Sequence, residues 1–476
     1  MIFKQFYLAC LAHASYVIGD EETGTAIVVD PQRDVEQYIA FAGEHKLTIK
    51  HVFLTHFHAD FLAGHLELRD RCGAEIHLGS QAEAEFAFTA DGHGKTYQWG
   101  QVALEILETP GHTPEGISLL FTDRAAPDEP GKLLTGDTLF VGDVGRPDLL
   151  ASIGVTAEQL ANMLYKSLHE VILPLPDETV VYPAHGAGSM CGKSLGKETF
   201  TTLGKQRRFN YALQPMTPEE FREMVTADQP VAPTYFVHDA ILNRKERQTL
   251  GVATRKMQVP LTLDDLRREQ NAGAMLLDVR EPGEFAAAHM KGAVNVPLSG
   301  KFASYAGSVV KPEESIVVIA DPGAEGEAIM RLGRIGYDRV KGFLDGGMAA
   351  LESAPELVEE SRRRPVADLD EALDSETPPF VLDVRSAGEY SGGHIEGSTN
   401  IPLTRLRGEL DAIPRDRPIL VNCQSGHRSS IAASLLAGQG FAPVEDLLGG
   451  WKAVAALRGE GGESCSTTAA GGSCST

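Results

Sequence analysis

Thr55-His56-Phe57-His58-Ala59-Asp60-Phe61 closes a β-rich run, residues 49–55 (IKHVFLT). Alternating His and Asp in a loop that leaves a strand can aim several ligand atoms into one cavity. Three more strand-like runs end the same way. Residues 102–108 (VALEILE) lead to Pro110-Gly111-His112-Thr113, residues 132–135 (KLLT) to Gly136-Asp137-Thr138, and residues 179–182 (TVVY) to Pro183-Ala184-His185-Gly186. Four separate strand ends therefore deliver imidazoles and carboxylates, and function is often carried on the loops that leave strands. Any one of these histidines alone reads as an ordinary core or surface residue. As a set they read as a metal site, and imidazole with carboxylate suits zinc, iron or manganese.

The rest of the chain narrows the class. Its 476 residues allow about three domains at roughly 150 residues each. The formal charge of −23 excludes a general nucleic-acid binder, which needs a basic face. No apolar run approaches the roughly 20 residues that span a bilayer, so no membrane partner is expected. The N-terminal stretch MIFKQFYLACLAHASYVIGD reads as two short strands, since His13 interrupts its apolar run and no small-residue cleavage site follows. Six scattered cysteines form no disulfide framework, which points to a reducing cytoplasm.

An internal repeat fills the second half. Residues 275–298 (MLLDVREPGEFAAAHMKGAVNVPL) match residues 380–403 (FVLDVRSAGEYSGGHIEGSTNIPL), with Asp278, Arg280, Glu284, His289, Asn295 and Pro297 each recurring 105 positions later. Each unit carries strand, turn and helix signals for a small α/β domain with a parallel sheet. Residues 357–365 (LVEESRRRP) read as a linker, and the Gly/Ser/Thr-rich residues 459–476 as a flexible tail. In the second repeat the apolar run PILVN ends at Cys423, followed by Gln424, Ser425, Gly426, His427, Arg428 and Ser429 and then a helical stretch. A thiol at a helix N-terminus, among backbone N–H groups and beside Arg428, is stabilised as thiolate or persulfide. The same cradle can hold an oxyanion. The first repeat has Asp321 at the matching place, with Glu325 and Glu327 where the cradle should be positive.

Residues 1–245 resemble the metallo-β-lactamase superfamily, which implies an αββα sandwich with a metal site at one edge of two packed sheets. The family's usual H-x-H-x-D-H motif here ends in Phe61. Phe cannot ligate, so a complete dinuclear site is disfavoured and a mononuclear one expected. Within the superfamily the chain is most similar to the persulfide dioxygenases. That resemblance implies one ferrous iron, Fe(II), held by His56, His112 and Asp137, with His58, Asp60 and His185 orienting ligands and waters around it. His58 as a direct zinc ligand is the alternative. The resemblance also gives Arg146, in GDVGRPDL, the carboxylate of a thiol cofactor such as glutathione; pairing with Asp143 or Asp148 is the ordinary alternative. Cys191 reads equally as a sulfur-carrying thiol near the pocket or as a small buried residue.

Both repeats resemble rhodanese sulfurtransferases. The resemblance makes Cys423 the sulfur carrier, with Arg428 and the loop Gln424, Ser425, Gly426, His427 and Ser429 cradling the substrate anion. Residues 258–356 then form a catalytically silent rhodanese-like domain and residues 366–458 an active one. Together these resemblances imply a sandwich domain followed by two α/β domains. The implied chemistry is oxidation of a small persulfide by O2 to sulfite, joined to sulfur transfer that makes or consumes thiosulfate. A homo-oligomer is expected, since the superfamily often associates. A zinc thioester hydrolase of the glyoxalase II type and a non-enzymatic sulfur relay are the rival readings.

Overall fold

The computed structural model describes residues 1–149, 154–227, 229, 231–441 and 443–459. The expected tail lies almost wholly outside them. Twelve strands form two six-stranded sheets. The first runs β1 (Ile2–Leu8), β2 (His13–Asp20), β3 (Thr25–Val29), β4 (Thr48–Phe53), β5 (Glu75–Gly79) and β6 (Thr89–Asp91) in spatial order. The second holds β7 (Thr96–Trp99), β8 (Val102–Glu108), β9 (Ile117–Asp123), β10 (Lys132–Gly136), β11 (Val180–Pro183) and β12 (Thr201–Thr202) side by side. The N-terminal stretch is thus a hairpin of two strands, with Phe3 opposite Ile18 and Gln5 opposite Tyr16.

Alternation along the strands explains the sandwich. In β8, Val102, Leu104 and Ile106 are buried while Glu105 is exposed. They meet Tyr16, Ile18, Ile27, Val29 and Phe53 of the first sheet in one apolar cluster, as period-two patterning requires. Helices cover the outer faces. The helix Ala157–Lys166 opens with a capping box between Thr156 and Gln159, which satisfies two otherwise orphaned N–H groups. Its Leu160, Ala161 and Leu164 are buried. Leu164 packs with Leu133 and Val181 of the second sheet.

Contact density divides the chain into two compact units. The first comprises Met1–Glu281 and Val296–Leu357, the sandwich together with most of the first repeat. Within it the strands Pro260–Leu261, Val340–Leu344, Ile316–Ile319 and Met275–Asp278 lie side by side, all parallel. The second comprises Pro282–Asn295 and everything from Val358 on. Its parallel sheet runs Arg362–Arg364, Val444–Leu447, Ile419–Asn422, Phe380–Asp383, Thr399–Asn400. Within that unit His289–Met290 pairs with Val358–Glu359, and Asn295 N donates to Ser434 Oγ at 2.9 Å. One stretch of the first repeat therefore belongs, by its contacts, with the second. The repeat itself is visible in matching details. Arg280 forks onto Asp278 and Arg385 onto Asp383, each closing its own strand end. Among the described residues no helix is long and apolar enough to cross a membrane.

Candidate functional site

The loops after β4, β8 and β10 bring His56, His112 and Asp137 together, all three buried and with one ligand atom each lying within 4.8 Å of the others. His112 Nε2 is 3.4 Å and His56 Nε2 3.7 Å from Asp137 Oδ2. Donors held at about 2.0–2.2 Å from one ion stand about 3–4 Å apart, so these three fit a single metal. The far nitrogens fix the tautomers. His112 Nδ1 donates to Arg146 O at 2.9 Å, and His56 Nδ1 lies 3.0 Å from Thr55 Oγ1. Both Nε2 lone pairs are thereby turned to the cavity, the arrangement that metal-ligating histidines use. Burial pushes the His56 and His112 imidazoles below their ordinary range and keeps them neutral.

A second group stands beside the first: His58, Asp60 and His185, also buried. His185 Nδ1 meets Asp137 Oδ1 at 2.7 Å while its Nε2 is 2.9 Å from Asp60 Oδ2. Burial opposes a charge on His185, but Asp137 and Asp60 outweigh it and raise its pKa well above the imidazole range. Asp137 is held far below the carboxylate range despite burial, chiefly by the charge and hydrogen bond of His185. Phe61 closes the gap where a further ligand would stand, its ring 4.5 Å from His58 and 4.1 Å from His13. His65 is buried with its ring 4.7 Å from that of Phe86.

Arg146 is buried and forked onto Asp148 at 2.7 and 2.6 Å, and it also donates to Met190 O. The guanidinium expected to meet a substrate carboxylate thus already holds one from its own loop. That loop approaches the metal site closely: a Cβ on Gly145 would fall 1.8 Å from Asp137 O. Cys191 is buried beside His185 and Asp137. Burial, and then Asp137, push its thiol up to about 12, which makes it a poor resting thiolate. Cys10 and Cys72 are partly buried free thiols.

The second centre is built at the C-terminal end of strand Ile419–Asn422. Cys423 is buried, and its Sγ accepts Gly426 N at 3.1 Å and lies 3.5 Å from Ser429 Oγ. Gly426, at φ +95, caps the helix His427–Gly438. A side chain there would be strained, so glycine lets the loop turn its N–H groups inward. Arg385 Nη1 reaches Gln424 Oε1 at 3.2 Å. Arg428 forks onto Glu389 at 2.8 and 2.6 Å. Burial resists the Glu389 charge, but Arg428 overcomes it and lowers that carboxyl to about 2. The field at Sγ therefore comes chiefly from backbone N–H groups and the helix terminus, with much of the Arg428 charge met by Glu389.

Residues 8–185 match the metallo-beta-lactamase superfamily, and residues 262–354 and 365–457 each match the rhodanese-like domain. The mitochondrial persulfide dioxygenase ETHE1 of Bos taurus is 30% identical over 225 residues, 46% of this chain and 79% of that protein. This chain belongs to the metallo-β-lactamase superfamily. Two rhodanese-like domains follow its superfamily domain, so the fusion read from the motifs is the architecture of the chain. A cytoplasmic hydroxyacylglutathione hydrolase of Arabidopsis thaliana is 35% identical over 185 residues, 38% of this chain and 67% of that protein. A crystal structure of a metallo-beta-lactamase from Staphylococcus aureus superposes with a TM-score of 0.65 at 34% identity, covering 72% of this chain and 98% of that one.

Two residues of the metallo-β-lactamase site escaped the motifs. Asp30, at φ +49, accepts Thr55 N and Thr55 Oγ1, both at 2.8 Å, and lies 3.1 Å from His58 Nε2. Asn243 donates to His58 O and Phe61 O, both at 2.8 Å, and accepts Ala63 N at 2.9 Å. It fixes the backbone of the His/Asp loop from 180 or more residues away, a distance no local pattern reveals. Asp30, in VVDPQ, gave one weak signal: a carboxylate at a strand end just before a proline.

In the first rhodanese-like domain Asp278 pairs with Ile319 as Asp383 pairs with Asn422, so the buried Ala320 stands at the place of Cys423, and the exposed Asp321, expected there from the sequence, is one residue further on. Glu325 Oε2 accepts Gly323 N at 2.8 Å, so a carboxylate already occupies a loop amide that an anion would need. Ala320→Cys is accordingly expected to take up no sulfur from thiosulfate, as read by mass spectrometry of the variant after incubation. A persulfide on residue 320 would contradict the account of this loop.

Proposed function

We propose that the chain oxidises a low-molecular-weight persulfide to sulfite at the His56, His112, Asp137 site. It then joins that sulfite to a second sulfane sulfur carried by Cys423, forming thiosulfate. The observation that carries the reading is a closed set of two imidazoles and one carboxylate beside a phenylalanine. Such a set holds one metal and leaves coordination positions open, the pattern suited to non-haem Fe(II) with O2. Ferrous iron, once bound there, supplies the redox chemistry with O2 that side chains lack. The chain's own residues supply the rest. His185 holds its proton between Asp137 and Asp60 and so fixes the Asp137 carboxylate. Phe61 and Phe57, both buried, keep the loop dry. Net, RSSH, O2 and water give RSH, sulfite and two protons.

At the second centre the Cys423 thiolate attacks the outer sulfur of RSSH. The S–S bond breaks, RS⁻ leaves, and the new Cys423 persulfide sits against Gly426 N–H. Sulfite then attacks the outer sulfur, its electron pair forming the new S–S bond while the Cys423 thiolate departs. Thiosulfate and a proton are released. The reverse direction, thiosulfate to persulfide, uses the same groups. Glutathione persulfide is the proposed carrier form, and the four described cysteines, all free thiols, suit a reducing cytoplasm.

The second reading, a zinc thioester hydrolase, is favoured by the His58, Asp60, His185 group and by the hydrolase relatives. Assaying one ferrous-loaded preparation on both substrates separates the two. The proposal expects O2 uptake with glutathione persulfide and no cleavage of S-lactoylglutathione; hydrolysis without oxygen would overturn it.

A further inference from the structure

A pocket in the first unit has Asp60 in its wall, one imidazole (His185) away from Asp137, and the thiol-free rhodanese-like domain forms part of the same wall. Cys10, Met190 and Tyr235 line it from the N-terminal domain, Lys301 and Ser304 from the thiol-free one. Lys301 Nζ donates to Gly188 O, another wall atom, at 2.8 Å. Tyr235 is buried, with its OH 3.3 Å from Asp60 O. Its ring fills the space over Gly307, where a Cβ would come within 2.3 Å.

The thiol-free domain is also clamped to the metal loop. Leu62 N donates to Arg334 O at 2.7 Å. The fully buried Arg33 forks onto Asp338 at 2.6 and 2.7 Å, and Arg334 forks onto Asp34 at 2.8 and 2.6 Å. Arg33 is enclosed and Asp338 partly exposed, so removing that carboxylate would leave a buried charge with less compensation. Lys301 therefore belongs to the same compact unit as the metal loop.

Two charged side chains line the pocket. At its buried end stands the carboxylate of Asp60, paired with His185; at its exposed side stands the ammonium of Lys301. A molecule with an anion remote from its sulfur can meet Lys301 with the anion while its sulfur end points toward Asp60. Arg146 is taken by Asp148 and Met190 O. We propose that Lys301 binds the anionic end of the persulfide carrier, so that the thiol-free domain is a specificity element of the first active site. This rests on the function proposed above.

The test compares Lys301→Gln with the parent chain in O2 uptake on three persulfides: glutathione persulfide (carboxylates), coenzyme A persulfide (phosphates) and uncharged 2-hydroxyethyl persulfide. KM is expected to rise about tenfold for an anionic carrier, the loss typical of one hydrogen bond to a charged group. kcat, and KM for the uncharged persulfide, should move less than twofold, and Lys301→Arg should restore the anionic KM. A rise with glutathione persulfide identifies the anion as carboxylate; a rise confined to coenzyme A persulfide identifies phosphate. Equal shifts on all three substrates, or none, would overturn the proposal. Calorimetry of glutathione and of coenzyme A on the metal-free chain gives a second readout without turnover: one of them should bind the parent about tenfold more tightly than Lys301→Gln. If the parent consumes no O2 with any persulfide, the proposed function fails, and the calorimetric difference still decides the role of Lys301.

Discussion

Asp137→Ala is expected to strip the first site of its metal and abolish O2 uptake, while sulfur transfer at Cys423 stays within twofold. Asp137 is the one carboxylate that faces both His56 and His112, and two neutral imidazoles alone hold a hard divalent ion poorly. Removing a group that merely orients a ligand costs about 10- to 100-fold in metal affinity, so losing a ligand should cost more. Metal analysis of the purified variant should find less than about a tenth of the parent's content. The substitution also leaves His185 between an alanine and Asp60, so Asp137→Asn serves as the control that keeps size and a hydrogen-bonding side chain. Both variants should melt cooperatively and lose iron together. Full metal content in either would show that the ligand set is wrong.

Cys423→Ser is expected to cut thiosulfate formation by at least about a thousandfold, the scale on which loss of a nucleophile acts. Serine keeps the volume and can still accept Gly426 N–H. It cannot form the sulfur–sulfur bond, and its hydroxyl stays protonated where a thiol ionises. O2 uptake should persist and sulfite should accumulate, measured together by electrode and by derivatisation of the sulfur oxyanions. Undiminished thiosulfate from this variant would remove Cys423 from the reaction. Loss of both activities would instead mean that sulfite release depends on the thiol.

The sandwich and its metal edge were legible because chemistry sits where patterning is strongest. Strands β4, β8, β10 and β11 each alternate or run apolar and then stop at a short motif, so His56, His112, Asp137 and His185 announce their places. The 105-residue repeat was legible for a similar reason: Asp278 with Arg280 and Asp383 with Arg385 are local pairs that close a strand end. What stayed hidden depends on contacts across long separations. Asn243 holds the loop at His58 and Phe61, and Arg334 holds it at Leu62, yet neither carries a motif. For Arg146 the structure bears out the alternative reading, pairing with Asp148, and for Arg428 it adds Glu389, a partner that no motif pointed to. The grouping of Pro282–Asn295 with the second repeat is equally invisible, because each repeat by itself spells a complete domain.

The central claim is that one chain couples an oxygen-consuming site to a sulfur-transferring one. Its most direct test is the product balance of the ferrous-loaded protein given glutathione persulfide in air, with O2 followed by electrode and thiosulfate and sulfite quantified together. The account expects rapid uptake of one O2 for every two persulfides consumed, with one thiosulfate formed and little free sulfite. Persulfide loss without O2 uptake, from protein shown to be iron-loaded, would contradict it.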